Sequence, residues 1–403
     1  MDFLLLNQYC VPDMAPTGQV MFDLARVLSA RGHRVRVLCS RRSYDGEHTY
    51  PACEELAGVT IERIPAFGFG RRSLLGKLLD YASFYFLLAL RLLFARPKPD
   101  LILALTTPPY VGLLAKVVGW LRRIPHAHWV MDLYPGVMVA HGMLRSESVL
   151  CRVLSMLTRW ELRGSCVTLA LGPDMADRLA AYSGLPVPWV PLWGDGSLKP
   201  WPEGKPNRLR QERGWDDRAL VLMYSGNMGL GHRFGEFLEA ARELRGEPSV
   251  HWVFAGGGKR RGEIEAAVTA DPTLPVTLLP YAPLERLQEH LSSADVLLAS
   301  LEPSWQGCMV PSKLQGIFAV GKPVIFVGAA DNSLAQWIEE SGGGWVVSPD
   351  DLPGLQAAVT AARDPKERQR RGHVARQYAG KHFDLQTNCT RIAKMLADVL
   401  TPE

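Results

Sequence analysis

The run Val310-Pro-Ser-Lys-Leu-Gln-Gly-Ile-Phe-Ala-Val-Gly-Lys-Pro-Val-Ile-Phe-Val327 decides how the rest of the chain is read. Pro311 and Ser312 suit the first positions of a helix, one through its fixed φ and the other through a capping hydroxyl. Leu314, Ile317 and Phe318 fall at i, i+3 and i+4, so one helix face is apolar. Gly321 stops the helix, and Pro323 opens the apolar run Val324–Val327, which reads as a fully buried strand. Lys313 falls in the first turn, where unpaired backbone N–H groups already favour an anion. A lysine at that point makes a phosphate site. An amphipathic helix with a solvated lysine fits the same residues.

Outward from this run, the chain alternates strands with helical patterns, which implies parallel, doubly wound sheets. Upstream, strands are expected at residues 3–6, 35–39, 59–64, 100–105, 128–131, 167–171 and 188–191. A helix from about Val20 to Ala30 follows the loop through Pro12, Pro16, Thr17 and Gly18. The pattern restarts at residues 220–224, 250–255, 276–279, 295–299, 324–327 and 344–347. Trp193 to about Arg213 has the composition of a linker. The expected domains are 1–192, then linker 193–213, then 214–375, with a terminal helix over 376–403. Ligands should bind where strand C-termini face a central cleft.

A length of 403 residues favours two domains over one core. The composition is globular, with 47% hydrophobic and 21% charged residues. A net charge of +4 gives a nucleic-acid role no support. The seven cysteines show neither CxxC nor metal spacing, and reduced cytoplasmic thiols are the simple reading. The start, Met1-Asp-Phe-Leu-Leu-Leu, lacks a basic leader region and reads as a first strand rather than a signal peptide.

One helix departs from the soluble pattern. Leu74 to Ala95 is apolar or aromatic apart from Lys77, Asp80 and Arg91, with Arg71, Arg72, Arg96 and Lys98 at its flanks. Its helical length would be about 33 Å. Asp80 and Arg91 argue against a span. A monotopic helix seated at the membrane surface fits its composition. A crossover helix packed on the sheet needs only one apolar face.

Several side chains sit at expected strand ends. Asp132 could accept a proton from an attacking hydroxyl, hold a sugar hydroxyl, or cap the segment after Pro135. His126 and His128 share a strand face and read as structural. Thr17 and Gly18 open a helix, where small residues let a ligand approach the backbone and Thr17 could be a cap or an acceptor contact. Gly226, Asn227 and Gly229 form a loop before Gly231, His232 and Arg233, of which one could bind phosphate. Gly256-Gly-Gly258 through Gly262 has GxGxxxG spacing, short of a dinucleotide fingerprint. A tight turn with solvated Lys259 and Arg260 fits it too. There is no GxSxG, HExxH or Walker lysine, so hydrolase, zinc-protease and P-loop readings have nothing to rest on.

Taken in order, Asn7-Gln-Tyr-Cys-Val-Pro-Asp13, Arg31-Gly-His33, Leu105-Thr-Thr-Pro-Pro109, Trp129-Val-Met-Asp-Leu-Tyr-Pro135, Tyr224-Ser-Gly-Asn-Met-Gly229, Ala294-Asp-Val296, Val310-Pro-Ser-Lys313 and Ala319-Val-Gly-Lys-Pro323 resemble a family 4 glycosyltransferase. The similar branch builds bacterial exopolysaccharides and O-antigens, of the colanic-acid and fucosamine-transferase type. The resemblance implies a GT-B fold, two Rossmann-like domains facing a cleft. It implies a nucleotide-sugar donor (UDP- before GDP-) on the C-terminal domain, retention of configuration, and no cofactor or metal. The implied acceptor is an undecaprenyl-diphosphate-linked sugar on the N-terminal domain, at the cytoplasmic face of the inner membrane.

By the same resemblance, Lys313, Ser312, Gly226, Asn227, His232, Arg233, Gly256 and Gly258 would hold the donor phosphates. Tyr281, Gln315 and Gly316 would meet the nucleoside. Thr17, Gly18, Thr107 and Tyr134 would meet the acceptor, and Asp132 would be catalytic. The chain departs from the family at several points. Gly316 stands where a ribose-holding glutamate is usual, and the first member of that glutamate pair falls near Cys308. Asn227 and His232 replace the usual diphosphate-gripping Arg and Lys. Met131 replaces a histidine, and Gly136 a glutamate. Two other readings stay open: a nucleotide-sugar 2-epimerase on the same fold, and a non-catalytic nucleotide-sugar-binding subunit.

Overall fold

The computed structural model describes residues 1–65, 74–216, 218–247 and 249–401. It divides into two compact units, Met1–Pro191 with Gln386–Glu403, and Leu192–Leu385. The basic pair Arg71 and Arg72 lies outside the described residues.

In chain order the first unit runs β1 (Asp2–Leu6), α1 (Pro16–Ala30), β2 (Arg34–Ser40), β3 (Cys53–Leu56), β4 (Val59–Ile64) and α2 (Leu74–Leu93). It continues with β5 (Leu101–Ala104), α3 (Val111–Arg122), β6 (His126–Trp129), α4 (Gly136–Ala140), α5 (Val149–Arg163), β7 (Val167–Leu169) and α6 (Pro173–Ser183). Its sheet order is β3-β4-β2-β1-β5-β6-β7, parallel throughout except for β3, an antiparallel edge strand that the sequence reading missed. β3 reads Cys-Glu-Glu-Leu and is mostly exposed, so it carries no apolar run to betray it. The strand expected at 188–191 is a single bridge from Trp189 to Ala170. α1 begins four residues earlier than expected, at Pro16, whose missing N–H costs nothing in the first turn.

The second unit runs α7 (Arg208–Arg213), β8 (Leu220–Ser225), α8 (Gly235–Glu243), β9 (Val250–Ala255), α9 (Arg261–Ala270), β10 (Val276–Leu279) and α10 (Leu287–Ser292). Then come β11 (Val296–Ser300), α11 (Lys313–Ala319), β12 (Val324–Val327), α12 (Ser333–Ser341), β13 (Gly344–Val347), α13 (Leu352–Ala361) and α14 (Pro365–His382). Its sheet, β10-β9-β8-β11-β12-β13, is wholly parallel. The last helix, α15 (Leu385–Asp398), belongs with the first unit from Gln386 onward, while α14 stays with the second.

Each sheet reverses its winding once, between β1 and β5 and between β8 and β11. At such a switch point the loops leaving the two strands diverge and leave a crevice beyond their C-terminal ends. Burial fixes the strands there. Trp252, Tyr224, Phe234, Phe237 and Phe254 pack one core of the second unit, and Leu4, Leu6, Phe84, Leu88 and Ile102 one of the first. Each such side chain contributes about 1.5–3 kcal/mol of transfer energy.

α2 is apolar on both faces. Phe84, Leu88 and Leu92 are buried against the sheet, and Leu79, Tyr81, Phe86, Leu90 and Phe94 are exposed. No helix among the described residues is long and apolar enough to cross a membrane.

Candidate active site

In the second unit, β8 and β9 end in loops that press against one another. The Gly226 N–H donates to the Ala255 carbonyl at 2.9 Å, and the Met228 N–H to the Gly257 carbonyl at 2.7 Å. Gly226 and Gly256 both have φ +125°, which L side chains rarely adopt. A Cβ at Gly256 would come within 2.1 Å of the Gly226 carbonyl oxygen, and one at Gly226 within 2.6 Å of the Lys313 amine. The turn can close only with glycine at both positions.

Lys313, at the first position of α11, reaches into this turn. Its Nζ donates to the carbonyls of Ser225 (3.3 Å) and Asn227 (3.4 Å) and lies 4.3 Å from the centre of the Tyr224 ring. Among the described residues it forms no salt bridge. Burial lowers its pKa to about 7. A desolvated ammonium with only carbonyl and ring partners is an incomplete ion pair, and an anion would complete it. Helix α11 has seven residues, and Ser312 makes no capping hydrogen bond. The attraction for an anion therefore rests on the amine more than on the helix end and capping hydroxyl that the sequence suggested.

In the first unit, Asp132 lies just past β6 rather than at its end, because the strand stops at Trp129. Its N–H donates to the Thr106 hydroxyl at 3.2 Å. Burial pushes the Asp132 carboxyl up to about 6. Asp132 lines a cavity of about 20 Å³ with Thr106, Tyr110, His128, Tyr134, Thr158 and Glu161. In that cavity His128 Nδ1 is 2.6 Å from Glu161 Oε1, both side chains being buried. Gly112 leaves the space the carboxylate fills, since a Cβ there would lie 2.0 Å from Glu161 Oε1. His128, expected to be structural, thus lies beside Glu161, which the sequence analysis does not single out. The signal was present, for Glu161 is the sole acid in α5. His126 is neutral, its pKa lowered to about 4 by burial, and its Nε2 lies 3.2 Å from the Ser165 hydroxyl.

Residues 17–193 match the family model described as a glycosyl transferase 4-like domain. The chain is 27% identical over 400 residues to the putative colanic acid biosynthesis glycosyl transferase WcaI of Escherichia coli (strain K12), covering 93% of this chain and 94% of that one. The fold matches sucrose-phosphate synthase from Thermosynechococcus elongatus, with a TM-score of 0.76 at 16% identity and 99% of each chain covered. It also matches Anabaena Alr3699/HepE in complex with UDP and glucose, with a TM-score of 0.71 at 16% identity, covering 99% of this chain and all of that one. Residues 17–193 carry a glycosyl transferase 4-like domain, and nearly the whole chain is similar to a glycosyl transferase named for colanic acid biosynthesis. The chain's two parallel-sheet α/β domains are those of the GT-B fold.

Around Lys313 the second unit brings together Gly226, Asn227, Gly256 and Gly258. Asn227 contributes its carbonyl, which also accepts from the Tyr224 hydroxyl at 2.7 Å. Gly258, with φ +137°, packs on the Met228 carbonyl. The Tyr281 ring is exposed, and its hydroxyl donates to the Gly257 carbonyl at 3.0 Å. Gln315 is 1% exposed, and its Oε1 has no hydrogen-bond partner. Gly316 faces Leu198 and Leu291 at ordinary contact distances.

Two expected phosphate ligands are corrected. Arg233 is held by Glu236 (2.5 Å), Glu302 (3.2 Å) and Asp350 (2.6 Å), so its charge is already matched. His232 is buried and neutral, its pKa lowered to about 4 chiefly by desolvation. Its Nδ1 lies 2.8 Å from the Ser300 carbonyl and must carry the proton, which leaves Nε2 an acceptor. In the empty protein neither stands as an uncompensated cation, as Lys313 does. Arg260, expected to be solvated, instead donates to the His232 carbonyl.

The first unit also revises its expected ligands. Thr17 caps no helix, and its hydroxyl accepts from Asn7 Nδ2 at 3.2 Å. The space beside Gly18 is taken by the Tyr9 backbone, 2.8 Å from a built Cβ, so the close approach there is the protein's own chain. The Thr107 carbonyl accepts from the Gln8 N–H at 2.6 Å. The Tyr134 carbonyl accepts from Thr158, and its ring lies 6.1 Å from that of Tyr110.

Proposed function

We propose that the glycosyltransferase moves a sugar from a nucleoside-diphosphate donor, a UDP-sugar in preference to a GDP-sugar, to a lipid-linked sugar in surface-polysaccharide synthesis. The observation that carries this reading is the desolvated Lys313 ammonium, which among the described residues lacks a carboxylate partner and sits at the glycine turn of the second sheet's switch point. A diphosphate supplies the missing negative charge. Tyr281 and Gln315 stand on the same unit as candidate nucleoside contacts. The relative named as a colanic acid glycosyl transferase and the fold neighbour crystallised with UDP and glucose support the substrate class.

In the proposed reaction the bond from the anomeric carbon to the diphosphate breaks, and a bond from that carbon to the acceptor oxygen forms. Lys313 stabilises the charge that develops on the leaving diphosphate. The acceptor proton passes to that diphosphate or to Asp132, whose raised pKa suits a proton acceptor near neutrality. Retention by front-face displacement fits the lack, among the described residues, of a carboxylate beside the Lys313 amine. The acceptor side, through Asp132, Thr107 and Tyr134, belongs to the first unit, and the enzyme works peripherally at the membrane.

The test is thermal stabilisation by a panel of UDP- and GDP-sugars, followed by donor consumption with a polyprenyl-diphosphate-linked sugar. A ligand that binds only the native state at a hundred times its Kd adds about 2.7 kcal/mol of stability. Stabilisation by a UDP-sugar with acceptor-dependent release of UDP is expected. A flat panel, or conversion of the donor without acceptor, would defeat the reading.

A further inference from the structure

α5 is built inside out. Its buried face carries Cys151, Thr158, Glu161 and Leu162, and its exposed face carries Val149, Leu150, Val153, Met156 and Trp160. Val149, Val153, Met156 and Trp160 fall at i, i+4, i+7 and i+11, a single stripe along the helix. Arg152, Arg159 and Arg163 are exposed beside it in a parallel row. An ordinary surface helix shows the reverse arrangement, with its polar side outward.

The neighbouring helices continue the pattern. α3 exposes Val117, Trp120 and Leu121, and Trp120 is 78% exposed. Phe94, just past the end of α2, is 76% exposed. The Arg122 guanidinium donates to the carbonyls of Leu92 (2.7 Å) and Ala95 (2.9 Å), which binds the end of α3 to the end of α2. On its other side, Lys116 of α3 donates to the Trp160 carbonyl and lies 4.3 Å from the centre of that indole. Three adjacent helices thus turn large apolar side chains to solvent, a density that marks an interaction surface.

We propose that the outward faces of α5, α3 and the end of α2 form a membrane-docking surface that seats in an anionic lipid leaflet, with Trp120, Met156 and Trp160 at the headgroup boundary. Charge selects this occupant. Over these helices the described basic side chains are Arg91, Lys116, Arg122, Arg152, Arg159 and Arg163, and the acids are Asp80 and the buried Glu161. A second copy docked by a two-fold axis would set this basic face against itself. An anionic leaflet matches it. Tryptophan suits the boundary because its ring is apolar and its N–H stays wet. The inference rests on the proposed lipid-linked acceptor only for its purpose, since it names the face that meets the leaflet carrying that acceptor.

The test is vesicle flotation of the full chain with phosphatidylcholine alone and with added phosphatidylglycerol, at low and high salt. Flotation that needs phosphatidylglycerol and weakens with salt is expected. The triple variant Val153→Ser, Met156→Ser, Trp160→Ser should lower partitioning at least about tenfold while leaving circular dichroism and UDP affinity unchanged. If that variant misfolds, Arg152→Glu with Arg159→Glu takes its place, and the same loss is expected. Wild-type protein that ignores anionic vesicles, a folded variant that floats as well as wild type, or a dimer that the variant dissociates would each overturn the inference. Flotation without sugar transfer would leave this surface standing and remove the proposed reaction. Transfer to a water-soluble acceptor by a protein that never floats would do the opposite.

Discussion

Lys313 and Tyr224 form a cation–π pair, with the ammonium nitrogen 4.3 Å from the ring centre, and the Tyr224 hydroxyl holds the same Asn227 carbonyl that the ammonium reaches. The pair joins the start of α11 to the end of β8. It holds a positive charge in place over a turn that no carboxylate among the described residues neutralises. The pair is an electrostatic arrangement prepared before any ligand arrives.

Lys313→Ala removes that charge. UDP affinity should fall at least about 30-fold, which corresponds to about 2 kcal/mol for a lost charge-assisted contact. The unliganded melting temperature should change by no more than about 4 °C, because the lysine makes no ion pair with any described residue of the empty protein. Isothermal titration calorimetry and a thermal melt read the two quantities. Unchanged affinity would remove Lys313 from the site.

The same lysine predicts a pH dependence. Its pKa of about 7 in the empty protein means that the amine is mostly charged below pH 7 and mostly neutral above. A bound diphosphate favours the charged form and raises that pKa, so binding above pH 7 takes up a proton. UDP affinity should be level below pH 7 and fall by up to about tenfold per pH unit above it. Calorimetry at pH 8 in two buffers of different ionisation enthalpy measures the uptake. Equal apparent enthalpies in the two buffers would contradict it.

Gly256→Ala tests the glycine turn. The new methyl would overlap the Gly226 carbonyl at 2.1 Å, and the φ of +125° is itself strained for alanine. A loss of about 1–3 kcal/mol of stability and of measurable UDP binding is expected. Gly262→Ala is the control, because its Cβ would meet nothing within 4 Å.

Most of the strands and the Lys313 position were legible because buried parallel strands are unbroken apolar runs and helix starts have their own chemistry. His232 and Arg233 show what was not legible. Both sit ahead of a helix, where an anion site is a fair expectation, but their partners Ser300, Glu302 and Asp350 lie far along the chain. Only the fold shows that one charge is spent and the other is absent. Glu161 stands out as the sole acid of α5, but its pairing was not legible, since its partner His128 is on another element. The inverted face of α5 escaped because a helical apolar period looks the same whether it faces core or solvent.

Asp132 gives a second pH test. Its carboxyl, pushed up to about 6 by burial, is neutral below that value and ionised above it. If the ionised form accepts the acceptor's proton, kcat/KM should fall about tenfold per pH unit below pH 6. Asp132→Asn should lower kcat about 100-fold or more, abolish that acid limb, and leave UDP affinity unchanged. A variant that keeps the acid limb would assign it to another group.

Arg233→Met separates structure from binding within the second unit. Arg233 neutralises Glu236, Glu302 and Asp350, and Ser300 bonds its backbone at 2.8–2.9 Å. Methionine keeps much of the volume but leaves the buried Glu236 without its cation, while Glu302 keeps only Arg260, at 3.9 Å. Stability should fall by about 1–3 kcal/mol, most of it from Glu236, since Asp350 is solvent-exposed and contributes little. UDP affinity, measured below the new melting transition, should stay within about twofold, because the guanidinium is committed to carboxylates in the empty protein. A large loss of UDP affinity in a folded Arg233→Met variant would show that the arginine exchanges a carboxylate for the donor phosphate and would restore it to the site.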